Sequence, residues 1–401
     1  MNRTEYLYRK ILASIDMSES FTDDDLTSVI HKIITDYSKE HYLSLGEKAQ
    51  LGKELFNTFR KLDVLQEYLE DDDITEIMIN GTRNIFCEKD GTIYLTDKRF
   101  YSKERLLDII QKIVSGVNRS VNEYSPIADA RLEDGSRINV VLNPVALNGP
   151  IVTIRKFPKE TIRMRNLLRI GSINTEIVKL LEMLVISKYN IFISGGTGSG
   201  KTTFLNALSE FIPEDERVIV IEDNAEIQII NIPNLVSLEA RNANTEGLGA
   251  IHINDLIKAA LRMRPDSVLV GEVRGEETVS LLQAVNTGHS GSISTGHSNS
   301  ARDMLTRIET MYLMGLEIPL PAIRRQIASG FDIIVHLGRM RDKSRKLLEV
   351  VEIVGFENNE IVLNPLYKFT ETSGKGESVE GNWEKCGELI HKEKMLAAGF
   401  K

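Results

Sequence analysis

Along the first 65 residues, apolar side chains recur at helical spacing: Leu7, Ile11, Leu12 and Ile15, then Ile30, Ile33 and Ile34. The spacing predicts a helical module over residues 1–65. A charged run from Glu70 to Asp73 precedes a change of texture. ITEIMING and NIFCEKDGTIYLT are short β-type runs, with Asn80-Gly81 and Asp90-Gly91 as turn signals. A helical segment, KERLLDIIQKIVSGV, follows, and strand patterns return in SRINVVL and PIVTIRKF. Together these predict an α/β domain over residues 66–157. Residues 158–172, PKETIRMRNLLRIGS, read as a connector. From 173 to 370 helix and strand patterns alternate. A helix around Thr175 to Ser187 precedes the strand NIFISG and the helix in SGKTTFLNALSEFI. Strand RVIVIED, helix INDLIKAALRM, strand SVLVGEV and helix EETVSLLQAV come next. Such alternation predicts a mostly parallel sheet with helices on both faces. After Glu371 the polar, glycine-rich ETSGKGESVEGN predicts a loop or mobile tail over residues 371–401.

Composition narrows the partners. The 401 residues leave room for two or three domains. A net charge of −9 argues against nucleic acid, because gripping a phosphate backbone needs a basic excess. An acidic protein is suited instead to the basic cytoplasmic segments of a membrane protein. Cys87 and Cys386 offer neither a disulfide framework nor a CxxC pair, which points to a reducing compartment. The N-terminus lacks the apolar core of a signal peptide, and no run reaches the ~18 apolar residues of a membrane span. The expectation is a soluble, cytoplasmic protein that meets a membrane only through partners.

The strongest motif is Gly195-Gly196-Thr197-Gly198-Ser199-Gly200-Lys201-Thr202, which fits GxxxxGK[ST] and continues into Thr203. An apolar strand precedes it and an amphipathic helix follows, the context in which such a loop cradles phosphates. Glycines let backbone N–H groups converge on phosphate oxygens, and the helix start adds the positive end of its dipole. Lys201 is placed to reach the β- and γ-phosphates and Thr202 to put its hydroxyl on Mg²⁺. A glycine-rich turn without a ligand is the plainer alternative, and the flanking elements argue against it. With no guanine-reading NKxD motif, ATP is favoured over GTP.

Two apolar strands end in acids. RVIVIED delivers Glu222 and Asp223, and SVLVGEVRGEE delivers Glu272. In doubly wound sheets ligands bind at the carboxyl ends of strands, where a carboxylate can hold metal-bound water or orient an attacking water. Glu272 is the candidate base; the alternative is that each acid caps the segment after it. His289 and His297 stand among glycines and hydroxyl residues in TGHSGSISTGHSNSARD. Zinc lacks a third ligand there. A phosphate or carboxylate sensor is one reading, although a histidine in a polar loop is more often structural.

Taken together, GGTGSGKTT, IEDNAEI, LRMRPDSVLVGEVRG and GHSGSISTGH resemble, in order, the motifs of the type II/type IV secretion-system ATPases. The eight-residue histidine spacing and the phrases LRMRPD and VGEVRG are most similar to the CpaF group, which powers tight-adherence (Flp) pili. DDDITEIMING, SPIADARLEDGSRINVV and NGPIVTIRKF extend the likeness into the first α/β domain, so it covers about residues 70 to 370. The resemblance implies a RecA-like P-loop domain, a smaller α/β N-terminal domain and a homohexameric ring, with nucleotide between the two domains. It implies that Glu222 assists Mg²⁺ and water, that Glu272 is the catalytic glutamate, and that His289 and His297 are the His-box residues. Arg131, Arg137 and Arg155 match arginines that reach the phosphates from the N-terminal domain, where a surface ion pair would otherwise be the default. Arg262, Arg264 and Arg274 are family-typical without an assigned contact. The second histidine sits in TGHSNS, where the group has a larger apolar residue before it and alanine after it. Two cysteines cannot supply the four-cysteine zinc insertion of the type II secretion branch.

The expected function is a hexameric, Mg²⁺-dependent ATPase that drives assembly, and by extension retraction, of a pilus or secretion machine. Its expected place is the inner face of the cytoplasmic membrane, through a polytopic inner-membrane platform protein. Two other classes compete: a hexameric nucleic-acid translocase or helicase, which the charge disfavours, and an ATP-gated scaffold that does not hydrolyse its ligand. A small-molecule kinase is weaker, for want of a substrate lid.

Overall fold

The structure, a computed structural model, describes residues 3–15, 22–116, 120–132, 134–157, 161–241, 243, 248–373 and 378–401. The chain divides into two units, Met1–Lys159 and Glu160–Lys401.

The first unit begins with helices α1 (Arg3–Ser14), α2 (Asp23–Glu40) and α3 (Leu45–Arg60). They close over Leu7, Ile11, Leu26, Ile30, Ile34, Leu51 and Leu55. Thr22 and Ser44 start α2 and α3 with capping boxes, each side chain accepting from the backbone three residues on. Leu12, expected on the apolar face, is 45% exposed. After α4 (Leu65–Glu70) come β1 (Ile74–Asn80), β2 (Asn84–Lys89), β3 (Thr92–Leu95), α5 (Lys103–Ser115), β4 (Ile127–Arg131), β5 (Arg137–Val141) and β6 (Ile151–Arg155). The six strands form one antiparallel sheet, ordered β3-β2-β1-β6-β5-β4. Alternate residues, among them Ile77, Ile79, Ile138, Val140, Val152 and Ile154, join Leu106, Ile109 and Ile110 of α5 in one core. The same alternation turns Arg131, Arg137 and Arg155 to the other face. There the register sets Arg131 opposite Arg137 and Arg137 opposite Arg155, a row of three arginines across three strands.

The second unit opens with α6 (Met164–Arg169) and α7 (Thr175–Ile186), followed by β7 (Ile191–Gly195), α8 (Lys201–Ser209), β8 (Arg217–Glu222) and β9 (Asn234–Glu239). Next come α9 (Ile253–Ala260), β10 (Ser267–Val270), α10 (Glu277–Asn286), β11 (Ile293–Gly296), α11 (Ala301–Gly315) and α12 (Leu320–Gly330). The unit ends with β12 (Ile333–Arg339), β13 (Arg345–Glu357), β14 (Glu360–Ser373), β15 (Glu380–Lys385) and α13 (Glu393–Ala397). Its sheet runs β15-β14-β13-β12-β7-β11-β10-β8-β9. From β12 to β9 every pairing is parallel, as the alternation predicted. Strands β7, β10 and β11 are buried along their whole length because helices cover both faces. One core lies under α6, α7, α8 and α13, the other under α9 to α12.

Two segments differ from expectation. Residues 158–172 are not a bare connector: α6 buries Met164 and Leu167 in the core beside Leu205 and Leu208 of α8. The arginines interleaved with those apolar residues hide the helical stripe. Residues 371–401 are not a loose tail. Strand β14 runs on through Glu371, β15 pairs with it, and Trp383 Nε1 donates to the Leu347 carbonyl at 2.7 Å. Glu352, 1% exposed, accepts hydrogen bonds from the backbone of Ile390 and His391 and from Asn364 Nδ2, while Leu389 and Met395 enter the core. An edge strand with one solvated face has polar residues at every other position and looks loop-like in sequence. The glycine-rich residues 374–377 lie outside the described residues. Among the described residues no helix is long and apolar enough to cross a membrane.

Glu352→Ala should strip two backbone N–H groups of their buried acceptor, at about 2–3 kcal/mol. For a unit of this size the melting temperature should fall by about 5–10 °C. A thermal melt within a degree of wild type would mean that the C-terminal segment does not depend on this anchor.

Candidate active site

Strand β7 carries the chain to the edge where all the parallel strands end, and the glycine loop begins there. A β-carbon at Gly195 would stand 2.5 Å from the Leu337 carbonyl oxygen and 2.6 Å from Ser199 Oγ, so the turn closes only with glycine. Gly200 takes up φ 92° immediately before α8, a left-handed conformation that other residues adopt at a cost. No side chain caps the start of α8, and nothing lies within 4 Å of where a Gly196 β-carbon would be. A helix start without a side-chain cap leaves N–H groups for an anion to accept from. Ser199 Oγ donates to the Gly196 carbonyl at 2.8 Å and holds the loop in this shape. Thr197 is exposed on the loop, and Thr202 and Thr203 stand on the first turn of α8.

Lys201 is 8% exposed. Its ammonium donates to the carbonyls of Gly195 at 3.0 Å and Gly196 at 3.1 Å, and lies 3.2 Å from His297 Nδ1. The other ring nitrogen of His297, Nε2, lies 3.3 Å from Glu272 Oε1. His297 therefore bridges the lysine and the glutamate. Burial pushes the Lys201 pKa below its ordinary value, and the Glu272 charge opposes that. For His297, burial comes first and the Lys201 charge second in lowering the pKa, again against Glu272. A neutral imidazole that accepts at Nδ1 and donates from Nε2–H to Glu272 satisfies all three groups.

Glu272 follows the end of β10, and its backbone is fixed on both sides. Thr295 Oγ1 donates to the Gly271 carbonyl at 2.6 Å, and the Val273 amide donates to the Thr295 carbonyl at 2.8 Å. The amides of the turn after Glu272 go to Glu277, whose Oε1 accepts from Arg274 at 2.6 Å and Gly275 at 2.9 Å. The Glu272 carboxylate is thus left facing His297.

The remaining sequence candidates separate. Glu222, 4% exposed, takes the capping role: its Oε1 accepts from the amides of Glu226 at 2.9 Å and Ile227 at 3.0 Å. Its stem also fills the space beside Gly271, where a β-carbon would meet Glu222 Cγ at 2.8 Å. Its Oε1 is thus engaged by backbone. Asp223 pairs with Arg274, which gives that arginine a definite contact. His289 and His297 lie on either side of β11. His289 precedes the strand and His297 follows it, with His289 Nδ1 3.3 Å from the Ala284 carbonyl oxygen. Arg131, Arg137 and Arg155 belong to the first unit and form the row already described.

Sequence reasoning missed His336. It is 5% exposed on β12, paired in register with Ser194 of β7, with Nδ1 2.9 Å from Ser194 Oγ directly behind the glycine loop. Burial pushes its pKa down. Only the parallel register brings it there, and no local pattern announces that register.

Comparison with known proteins gives this geometry relatives. The family model described as type II/IV secretion system protein matches residues 60–372. The conjugal transfer protein TrbB of Rhizobium radiobacter is 31% identical over 300 residues, covering 74% of this chain and 89% of that protein. The type IV secretion system protein VirB11 of Brucella abortus is 30% identical over 306 residues, covering 69% and 84%. The X-ray structure of the Legionella pneumophila ATPase DotB shares the fold at 22% identity and a TM-score of 0.52, covering 73% of this chain and 80% of that one.

Because burial depresses the pKa values of His297 and His336, the unfolded chain takes up protons below about pH 6.5 that the folded chain refuses. Their contribution to stability is therefore full above that pH and shrinks as pH falls toward the folded values. Melting temperature should drop between pH 7 and pH 5.5, and His297→Asn should make that drop shallower. Identical slopes for the two proteins would remove His297 from this account.

Proposed function

The chain belongs to the type II/IV secretion system protein family and is an ATPase, and from that premise we propose that it is a hexameric motor driving assembly of a pilus or related secretion machine. The observation that carries the catalytic part is the Lys201–His297–Glu272 series at the mouth of the glycine loop. The triphosphate lies against the uncapped start of α8, with Gly195 to Thr203 around it. Lys201 exchanges its carbonyl partners for phosphate oxygens, which are stronger acceptors for an ammonium. Glu272 orients the attacking water and receives its proton. His297, neutral and donating from Nε2, holds the carboxylate in that position and reports on the phosphate through Lys201. Glu222 serves as the wall against which Gly271 and Glu272 rest.

Among the described residues no three His, Cys, Asp or Glu side chains gather into a metal site. A Mg²⁺ ion in a nucleotide site commonly takes phosphate oxygens and water as most of its ligands. Thr202 and Glu222 are the protein groups that would hold it, and the ion would supply positive charge beside the phosphates. Arg131, Arg137 and Arg155, matched by motif to the family's phosphate-reaching arginines, would add guanidinium charge that stabilises developing charge.

The likeness of DDDITEIMING and LRMRPD to the CpaF group supports Flp-type pilus assembly as the output, and retraction is the same motor acting on disassembly. The names of the relatives, conjugal transfer for TrbB and type IV secretion for VirB11, support work on a membrane-embedded machine. A polytopic inner-membrane platform protein is the proposed partner, and the inner face of the cytoplasmic membrane the proposed place.

Lys201→Ala should abolish phosphate release. Glu272→Gln should still bind ATP while turnover falls by at least about a hundredfold. Wild-type turnover by Glu272→Gln would remove the base assignment. Sizing of the purified protein with ATP should show a six-membered assembly; a monomer at every nucleotide concentration would remove the ring.

A further inference from the structure

Two arginines that this mechanism does not use stand beside the glycine loop. They come from the β12–β13 hairpin, where Arg339 and Arg345 face each other across the ladder. Arg345 Nε donates to the Gly198 carbonyl at 3.0 Å, and its stem passes so near Gly200 that a β-carbon there would meet Arg345 Cδ at 3.2 Å. Arg339 reaches over the tip of the loop, its Nη1 3.5 Å from where a Gly198 β-carbon would stand. Both are exposed, and among the described residues neither forms an ion pair. Arg341 on the same hairpin, by contrast, pairs with Glu371.

The hairpin is built to hold these groups still. The Met340 amide donates to the Ser344 carbonyl at 2.8 Å. Asp342 accepts from the Ser344 hydroxyl and from the amides of Ser344 and Val379, which holds its pKa down at about 2. Ser172 Oγ donates to the Arg345 carbonyl at 2.6 Å. Like charges directly across a ladder destabilise it, and here such a pair adjoins loop N–H groups suited to an anion.

The direction of approach decides what they touch. β7 lies between β12 and β11. His297 and Glu272 reach the loop from the β11 side and mark the end where the terminal phosphate is cleaved. The arginines arrive from the other flank, at Gly198 and Gly200. We propose that Arg339, on a loop braced by Arg345, binds the α- and β-phosphates of the nucleotide, the part common to ATP and ADP. This rests on the nucleotide reading above and adds a residue that governs how tightly substrate and product are both retained. A guanidinium suits this role because its fork donates two parallel hydrogen bonds to phosphate. Contacts to groups that do not change during cleavage strengthen substrate and product binding alike.

The test is calorimetric titration of full-length wild type, Arg339→Ala and Arg339→Lys with Mg²⁺–ADP and with a slowly hydrolysed ATP analogue. Arg339→Ala should weaken both ligands by about tenfold, leaving their ratio within about twofold, and Arg339→Lys should recover part of the loss. Unchanged ADP affinity in Arg339→Ala overturns the proposal, and so does a loss confined to the ATP analogue. Melting curves without ligand identify a folding defect in Arg339→Ala. Arg339→Lys then decides: lowered affinity for both ligands supports the contact, and wild-type affinity for both refutes it. Wild type that binds neither ligand would instead overturn the nucleotide reading itself.

Discussion

An ammonium closed off from water must be solvated by something, and how Lys201 achieves this governs the second unit's site. Desolvating such a charge costs several kcal/mol. The carbonyls of Gly195 and Gly196 meet part of that demand, which requires the loop to double back on the strand it leaves. The Nδ1 atom of His297 meets another part and therefore must carry no proton. With Nδ1 accepting, the ring's proton sits on Nε2 and is directed at Glu272. Three residues remote from one another in sequence are thus set by the needs of one cation. An incoming phosphate competes for the same ammonium, and so is felt at the glutamate through the imidazole.

The sheet makes this economical. Each of these groups stands at or just beyond the end of a different parallel strand: the glycine loop and Lys201 after β7, Glu272 after β10 and His297 after β11. The strands themselves are buried on both faces and leave little room for adjustment. What varies chemically is confined to one edge, and the Thr295–Gly271 hydrogen bond fixes how neighbouring ends meet. The buried Ser194–His336 pair extends the same polar layer one strand further, behind the loop.

Much of this was legible before any coordinates. A glycine loop between an apolar strand and an amphipathic helix is a local signal, and so is an acid at the end of a short apolar run such as SVLVGEV. Distinguishing Glu272 from Glu222 was not local. It depended on Glu277 taking the amides of Arg274 and Gly275 in one case, and on the amides of Glu226 and Ile227 claiming Oε1 of the carboxylate in the other. The two histidines show a different limit. Their spacing of eight looks like a paired motif, yet the short strand β11 lies between them. A strand between them separates rather than unites them. His336, Arg339 and Arg345 were out of reach because only long-range register brings β12 and β13 to the loop. The strands and helix after residue 371 escaped notice because edge strands alternate polar with apolar and look like solvent-facing loop.

The hairpin anchor has a mechanical corollary. The Ser172 hydroxyl grips the backbone of Arg345, and Arg345 grips the carbonyl of Gly198. Lys346 adds a second tie to Gly171 at 2.6 Å. Two hydrogen bonds in series therefore connect the polypeptide just after α6 to the crest of the phosphate cradle, without passing through the core. A shift of the backbone at Ser172 is thus passed along that short tether to the carbonyl of Gly198.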